Sequence, residues 1–151
     1  MNQIIILFGE IGVGKNYHGE RLAQHLDYAF FDGDCAATAE MIDRVSKFQP
    51  LTREIITRYI QSLSVAIIMR ATKYRGLVVA QALYADQDRK KLADTLYNCN
   101  YAVEFRWVKV SMWQNIRQLL KRKDGLRWVW YWLINKPFFQ KPTHHYSVIR
   151  G

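Results

Sequence analysis

Gln3-Ile4-Ile5-Ile6-Leu7-Phe8-Gly9-Glu10-Ile11-Gly12-Val13-Gly14-Lys15-Asn16 runs from a continuous apolar segment into a glycine-rich turn that ends in lysine. An unbroken apolar run stopped by glycine suits a strand covered on both faces, as in a parallel sheet. After Gly14 the period changes: His18, Leu22 and Leu26 recur at four-residue steps with Ala23 beside them, which predicts a helix. A strand, the GxxxxGK spacing and a helix together form the context that a phosphate-binding loop requires. The glycines let backbone amides turn inward as a nest for phosphate oxygens. The helix N-terminus adds its dipole, and Lys15 adds a point charge. A glycine-rich turn that binds nothing is the alternative, and it leaves the lysine and the spacing unexplained.

Strand and helix signals alternate beyond the loop. Tyr28-Ala29-Phe30-Phe31 predicts a second strand stopped by Asp32-Gly33-Asp34, and a helix follows from about Thr38 to Lys47. Thr52 is placed to cap a long helix whose residues Ile55, Ile56, Tyr59, Ile60, Leu63, Ala66 and Ile67 share one stripe. Gly76 closes that segment, Leu77 to Ala80 reads as a third strand, and Leu92, Ala93 and Leu96 mark the next helix. Val103 to Val110 predicts a fourth strand. A helix with Met112, Ile116, Leu119 and Leu120 comes after it, and Asp124-Gly125 interrupts before a last helix at 126–135. Tyr146 to Ile149 completes a five-stranded, mainly parallel sheet. The expected architecture is α/β, a three-layer sandwich in one domain over 1–151.

Half of the 151 residues are apolar, enough for a sizeable core, which excludes a disordered or collagen-like chain. Lys and Arg number 22 against 13 Asp and Glu, a net charge of +9 that favours anionic partners without choosing among them. Cys35 and Cys99 form no CxxC or Cys/His cluster, so a zinc finger or disulfide scaffold is not expected and a reducing, cytoplasmic compartment is. The apolar start is too short for a signal or transmembrane segment.

Three further pieces join the loop: Phe31-Asp32-Gly33-Asp34, Phe48-Gln49-Pro50-Leu51-Thr52 and Val78-Val79-Ala80-Gln81-Ala82-Leu83. In this order and spacing, over roughly residues 3–123, the sequence resembles the gluconokinases, with shikimate kinases and adenylylsulfate kinases as near relatives of the pattern. The resemblance implies a nucleoside-monophosphate-kinase-like fold and transfer of phosphate from MgATP to a hydroxyl of a small metabolite. It implies that Gly9, Ile11, Gly12, Val13, Gly14, Lys15, Asn16 and Tyr17 hold the nucleotide and that Asp32 supports Mg2+. Asp34 then accepts the acceptor's proton, while a helical lid over 121–140 brings Arg122, or failing that Arg117, to the transferred phosphate.

This sequence departs from that pattern in places. Asn16 stands where a Ser or Thr hydroxyl usually meets Mg2+; its amide oxygen is also a hard donor, so metal coordination by Asn16 and Asp32 remains the expectation. Arg53-Glu54-Ile55-Ile56 replaces the family's Asp-x-Asp-Arg, Phe48 replaces a glycine, Gln81 a serine and Ala37 a histidine. Those positions hold the acceptor, so gluconate itself is in doubt while the phosphate end is better kept. A catalytically weak nucleotide binder and a protein acting on nucleotides or nucleic acid are the rival expectations.

Leu126 to Ile134 is apolar on two sides. Leu126, Val129, Trp130, Leu133 and Ile134 read as an ordinary core stripe, and Trp128, Tyr131 and Trp132 as a second face. That second face calls for burial under the lid, a homodimer contact through 126–134, or stacking on a nucleic-acid base; a membrane-surface contact is a further alternative, which the thin basic face and the short stretch disfavour.

Overall fold

A computed structural model of the chain describes residues 2–151. The elements run β1 (Gln3–Phe8), α1 (Lys15–Leu26), β2 (Ala29–Asp32), α2 (Ala39–Ser46), α3 (Arg53–Ala71), β3 (Gly76–Ala80), α4 (Asp86–Asn98), β4 (Ala102–Lys109), α5 (Met112–Leu120), α6 (Gly125–Asn135) and β5 (Ser147–Arg150). Short 3-10 turns cover Gly33–Ala36 and Lys136–Phe138. All four strand pairings are parallel, in the order β2-β3-β1-β4-β5. Every strand and helix expected from the sequence is present, shifted by a residue or two at the ends.

The apolar run at 4–8 is buried because β1 lies at the centre of the sheet with helices on both faces. On one face Ile4, Ile6 and Phe8 join Leu77, Val79 and Phe105 against Tyr59, Ile60, Leu63 and Ile67 of α3 and Leu92 and Leu96 of α4. On the other, Ile5, Leu7, Val78 and Val108 pack with Ala23 of α1. Thr52 caps α3 as expected, its hydroxyl accepting from the Ile55 amide at 3.3 Å. The stripe starting at Ile55 is the buried one, with Ile56 and Ala66 at its edges.

Helix α6 reverses the sequence expectation. Tyr131 and Trp132 are buried and Trp128 is half-buried, whereas Leu126, Trp130, Leu133 and Ile134, read as the core stripe, are exposed. The reason is where partners lie: Phe48, Gln49 and Glu10 all meet the aromatic face.

Candidate active site

The turn after β1 sits at the carboxyl edge of the central strand, where chain connections leave to opposite sides and open α/β sheets bind ligands. Its form follows from two glycines. Gly14 caps α1 with φ 90°, a left-handed conformation that side chains resist, and the space a Cβ would occupy is nearly open. Gly12 has φ 87°, and a Cβ there would come within 2.6 Å of Leu119 and 2.7 Å of Asn115, both on α5. Buried Asn115 completes this side by donating from Nδ2 to the Ile11 carbonyl at 3.1 Å. Ile11 in turn donates its amide to the Tyr84 hydroxyl at 3.1 Å. The loop is thus fixed by α5 and by the segment after β3.

Lys15, Asp32, Asp34, Arg122 and Glu10 converge on the mouth of this loop. The Lys15 ammonium donates to the Glu10 carbonyl at 2.8 Å. Burial lowers its pKa to about 8; Asp34, Asp32 and Glu10 pull it back up, while Arg122 pushes it further down. Asp32 accepts the Asp34 amide on Oδ1 at 3.0 Å, which starts the 3-10 turn and aims Asp34. Asp34 accepts from Gln81 Nε2 at 3.2 Å, and the same Gln81 nitrogen meets the buried Tyr59 hydroxyl. Tyr59 donates to the Gly33 carbonyl at 2.8 Å. Sequence reasoning missed this bracing: Gln81 stood out only as a departure, and Tyr59 only as an apolar stripe residue.

Asn16 donates from Nδ2 to Asp32 Oδ2 at 2.8 Å, so the two residues expected to share a cation are adjacent. A carboxylate beside an amide oxygen suits Mg2+, which takes few protein ligands and completes its shell with water and phosphate oxygens. No cluster of three or more His, Cys, Asp or Glu able to hold a metal occurs among the described residues. Tyr17 is exposed, edge-on to His18, and its hydroxyl accepts from Arg21 Nη1 at 3.2 Å.

The aromatic face of α6 closes over this arrangement. Trp132 Nε1 donates to Glu10 Oε2 at 2.6 Å, and Lys136 reaches the same carboxylate at 3.3 Å. Tyr131 donates to the Gln49 carbonyl at 3.1 Å. Phe48 packs edge-on against Trp128 and Tyr131 at 5.0 and 5.8 Å, and the Arg122 guanidinium lies 5.0 Å from the Trp128 ring centre. Phe48 has φ 54°, which explains the family's glycine at this position; the aromatic grip offsets a backbone cost of about 1–2 kcal/mol. Beside the loop, a cavity of about 60 Å3 lies between Glu10, Val13, Asn115, Trp132 and the end of β4. Arg122 and Arg117 are both exposed, and Arg122 is the one within the electrostatic reach of Lys15 and Asp34. Arg53 and Arg58, beside the altered acceptor segment, are spent on Asp88 and Glu40.

No family model matches the sequence. Over 125 residues the chain is 28% identical to the thermoresistant gluconokinase of Escherichia coli K12, covering 82% of this chain and 68% of that protein. The sequence is thus similar to that of a gluconokinase over most of its length. Among solved structures the chain is similar to a gluconokinase from Sinorhizobium meliloti 1021, with a TM-score of 0.78 at 18% identity over 98% of this chain and 81% of that one. A sugar kinase from Janibacter sp. HTCC2649 also gives 0.78, at 16% identity over 100% and 85%. The Mycobacterium tuberculosis APS kinase in complex with AMPPNP and APS gives 0.66, at 14% identity over 99% and 88%. The chain thus has the P-loop kinase fold expected from its loop.

The lowered Lys15 pKa sets an expected pH dependence. Nucleotide phosphate requires the ammonium form, and above about pH 8 the free protein must take up a proton to supply it. The dissociation constant for ATP is expected to rise by up to about tenfold per pH unit above that point, with proton uptake measurable by calorimetry in buffers of different ionisation enthalpy. A flat profile from pH 7 to about 9.5 would remove Lys15 from phosphate binding.

Proposed function

We propose that the chain is an ATP-dependent kinase that phosphorylates a hydroxyl of a small sugar-acid-like metabolite. The convergence of Lys15, Asp32, Asp34 and Arg122 on the mouth of the glycine loop carries this reading. ATP places its phosphates on the amides from Gly12 to Asn16, and Lys15 exchanges the Glu10 carbonyl for a phosphate oxygen. Mg2+ held beside Asp32 and Asn16 supplies charge neutralisation on those phosphates. Asp34 takes the proton of the acceptor hydroxyl as its oxygen bonds to the γ-phosphorus and the bond from that phosphorus to ADP breaks. Gln81 occupies Asp34 Oδ1, so Oδ2 is the oxygen presented to the acceptor. Arg122 and Lys15 balance the negative charge on the phosphoryl group in flight.

Because Arg53 and Arg58 are paired with protein carboxylates, an acidic acceptor is held by the cations of the lid side. The testing experiment titrates the protein with ATP with and without Mg2+, then screens sugar acids, polyols and nucleotides for ADP release. Transfer to a sugar acid supports the reading; transfer to a nucleoside monophosphate alone, or to none of the panel, contradicts it.

A second reading, nucleotide binding with little turnover, is favoured by the Asn16–Asp32 hydrogen bond, which engages the carboxylate that would otherwise face the cation. Asn16→Ser separates the two. A working metal shell predicts turnover equal to that of the wild type or up to about tenfold higher, since serine restores a hydroxyl donor and frees Asp32. Measured kcat decides: ATP binding without transfer in both proteins supports the binder.

A further inference from the structure

Helix α6 has two apolar faces and a partner for one. Trp128, Tyr131 and Trp132 are taken up by Phe48, Gln49 and Glu10. The opposite face carries Leu126, Trp130, Leu133 and Ile134, spaced i, i+4, i+7 and i+8 and exposed by 78, 55, 49 and 37%. The ridge continues into the following turn with Phe138, 70% exposed. Large side chains aligned in this way on a soluble fold mark an interaction surface rather than scattered surface residues.

Charge identifies what covers it. Residues 109–151 contain nine Lys and Arg and a single acid, Asp124, so eight of the chain's nine net positive charges fall in the segment built around α6. Lys121 and Lys123 before the helix and Lys141 beyond it are exposed, whereas the Arg127 guanidinium lies over the Phe48 ring on the inner side. A second copy of this chain would set this positive segment against its own image across a two-fold axis, and like charges oppose that contact. Nucleic acid has Trp130 and Phe138 to stack on, but it leaves Leu126, Leu133 and Ile134, most of the face, with neither a stacking nor a hydrogen-bonding partner. An anionic lipid surface accommodates both features at once: aliphatic and indole side chains enter the headgroup boundary, and the flanking cations meet lipid phosphates.

We propose that the outer face of α6, from Leu126 to Phe138, is a docking surface for anionic membranes. The helix lies in the plane of the interface, since no helix among the described residues is long and apolar enough to cross a bilayer. This surface faces away from Lys15 and Asp34 and is independent of the activity proposed above.

Cosedimentation of the full chain with vesicles tests it, using phosphatidylcholine alone and phosphatidylcholine mixed with phosphatidylglycerol, at low and high salt. Binding is expected to the mixed vesicles, at least about tenfold weaker to the neutral ones, and weakened by salt. The double variant Leu126→Ser, Leu133→Ser should lose about tenfold or more in affinity with its circular dichroism spectrum unchanged. Trp130→Ser, at an exposed position, serves as a second variant should the double one fold poorly. The proposal is overturned by absence of binding to either vesicle, by equal binding to both, or by undiminished binding of the folded serine variants. Light scattering that shows a dimer dissolved by Leu126→Ser, Leu133→Ser assigns the face to a second copy instead. Tighter binding to single-stranded RNA than to vesicles, lost with the same substitutions, assigns it to nucleic acid.

Discussion

Replacing Lys15 by alanine is expected to abolish most turnover while leaving a folded and more stable protein. The lysine supplies a cation to the phosphates at the ground state and more so as charge shifts in transfer, so kcat should fall by about 10^2–10^3-fold or more and ATP affinity by about tenfold. Stability moves the other way. The buried ammonium has its pKa lowered from 10.5 to about 8, so at neutral pH the folded chain holds a proton in a place that disfavours it. Unfolding relieves that cost; removing the group should raise stability at pH 7 by about 1–3 kcal/mol, less whatever the hydrogen bond to the Glu10 carbonyl contributes. The sign with pH follows: between about 8 and 10.5 the unfolded chain binds more protons than the folded one, so wild-type stability gains over that interval and the variant's does not. Thermal melts of both proteins from pH 7 to about 10 check this alongside the kinetics. A variant that loses activity because it melts early would point to a structural lysine.

Asp34→Asn is expected to separate binding from chemistry. Asparagine retains a carbonyl oxygen for Gln81 Nε2, so the bracing by Gln81 and Tyr59 persists and the fold is undisturbed. What it loses is the capacity to take a proton from the acceptor hydroxyl, and kcat should drop by about 10^2–10^4-fold. In the proposed role Asp34 serves the acceptor, so ATP affinity should stay within about threefold when measured well below pH 8, where Lys15 remains an ammonium without the pull of Asp34. Steady-state kinetics and ATP titration of the same preparation give both quantities. Normal kcat in this variant would assign proton removal elsewhere.

The phosphate loop was legible in the chain because its determinants are local: a glycine at each left-handed position, a lysine at the helix start, and an apolar strand that needs cover on both sides. The cap at Thr52 and the stripe from Ile55 to Ile67 belong to the same class. The bracing of Asp34 was not legible, since Gln81 and Tyr59 reach it from 47 and 25 residues away and neither side chain announces a partner in its own neighbourhood. Helix α6 shows the limit most clearly. Periodicity revealed two apolar faces but not which one meets Phe48 and Glu10, because that depends on where a distant loop and the end of β1 come to rest. Phe48 itself, read as an eroded acceptor position, proves to be an anchor for the aromatic face, held in a backbone conformation that glycine would adopt without cost.

Glu10 faces in two directions: its backbone oxygen receives the Lys15 ammonium, and its carboxylate receives the indole of Trp132. A shift of the lysine toward incoming phosphate is therefore expected to alter the footing of the tryptophan through this one shared residue. Occupancy of the cradle should then be felt in the last third of the chain, and because the chain holds five tryptophans, a variant that keeps Trp132 alone would let its emission follow that message.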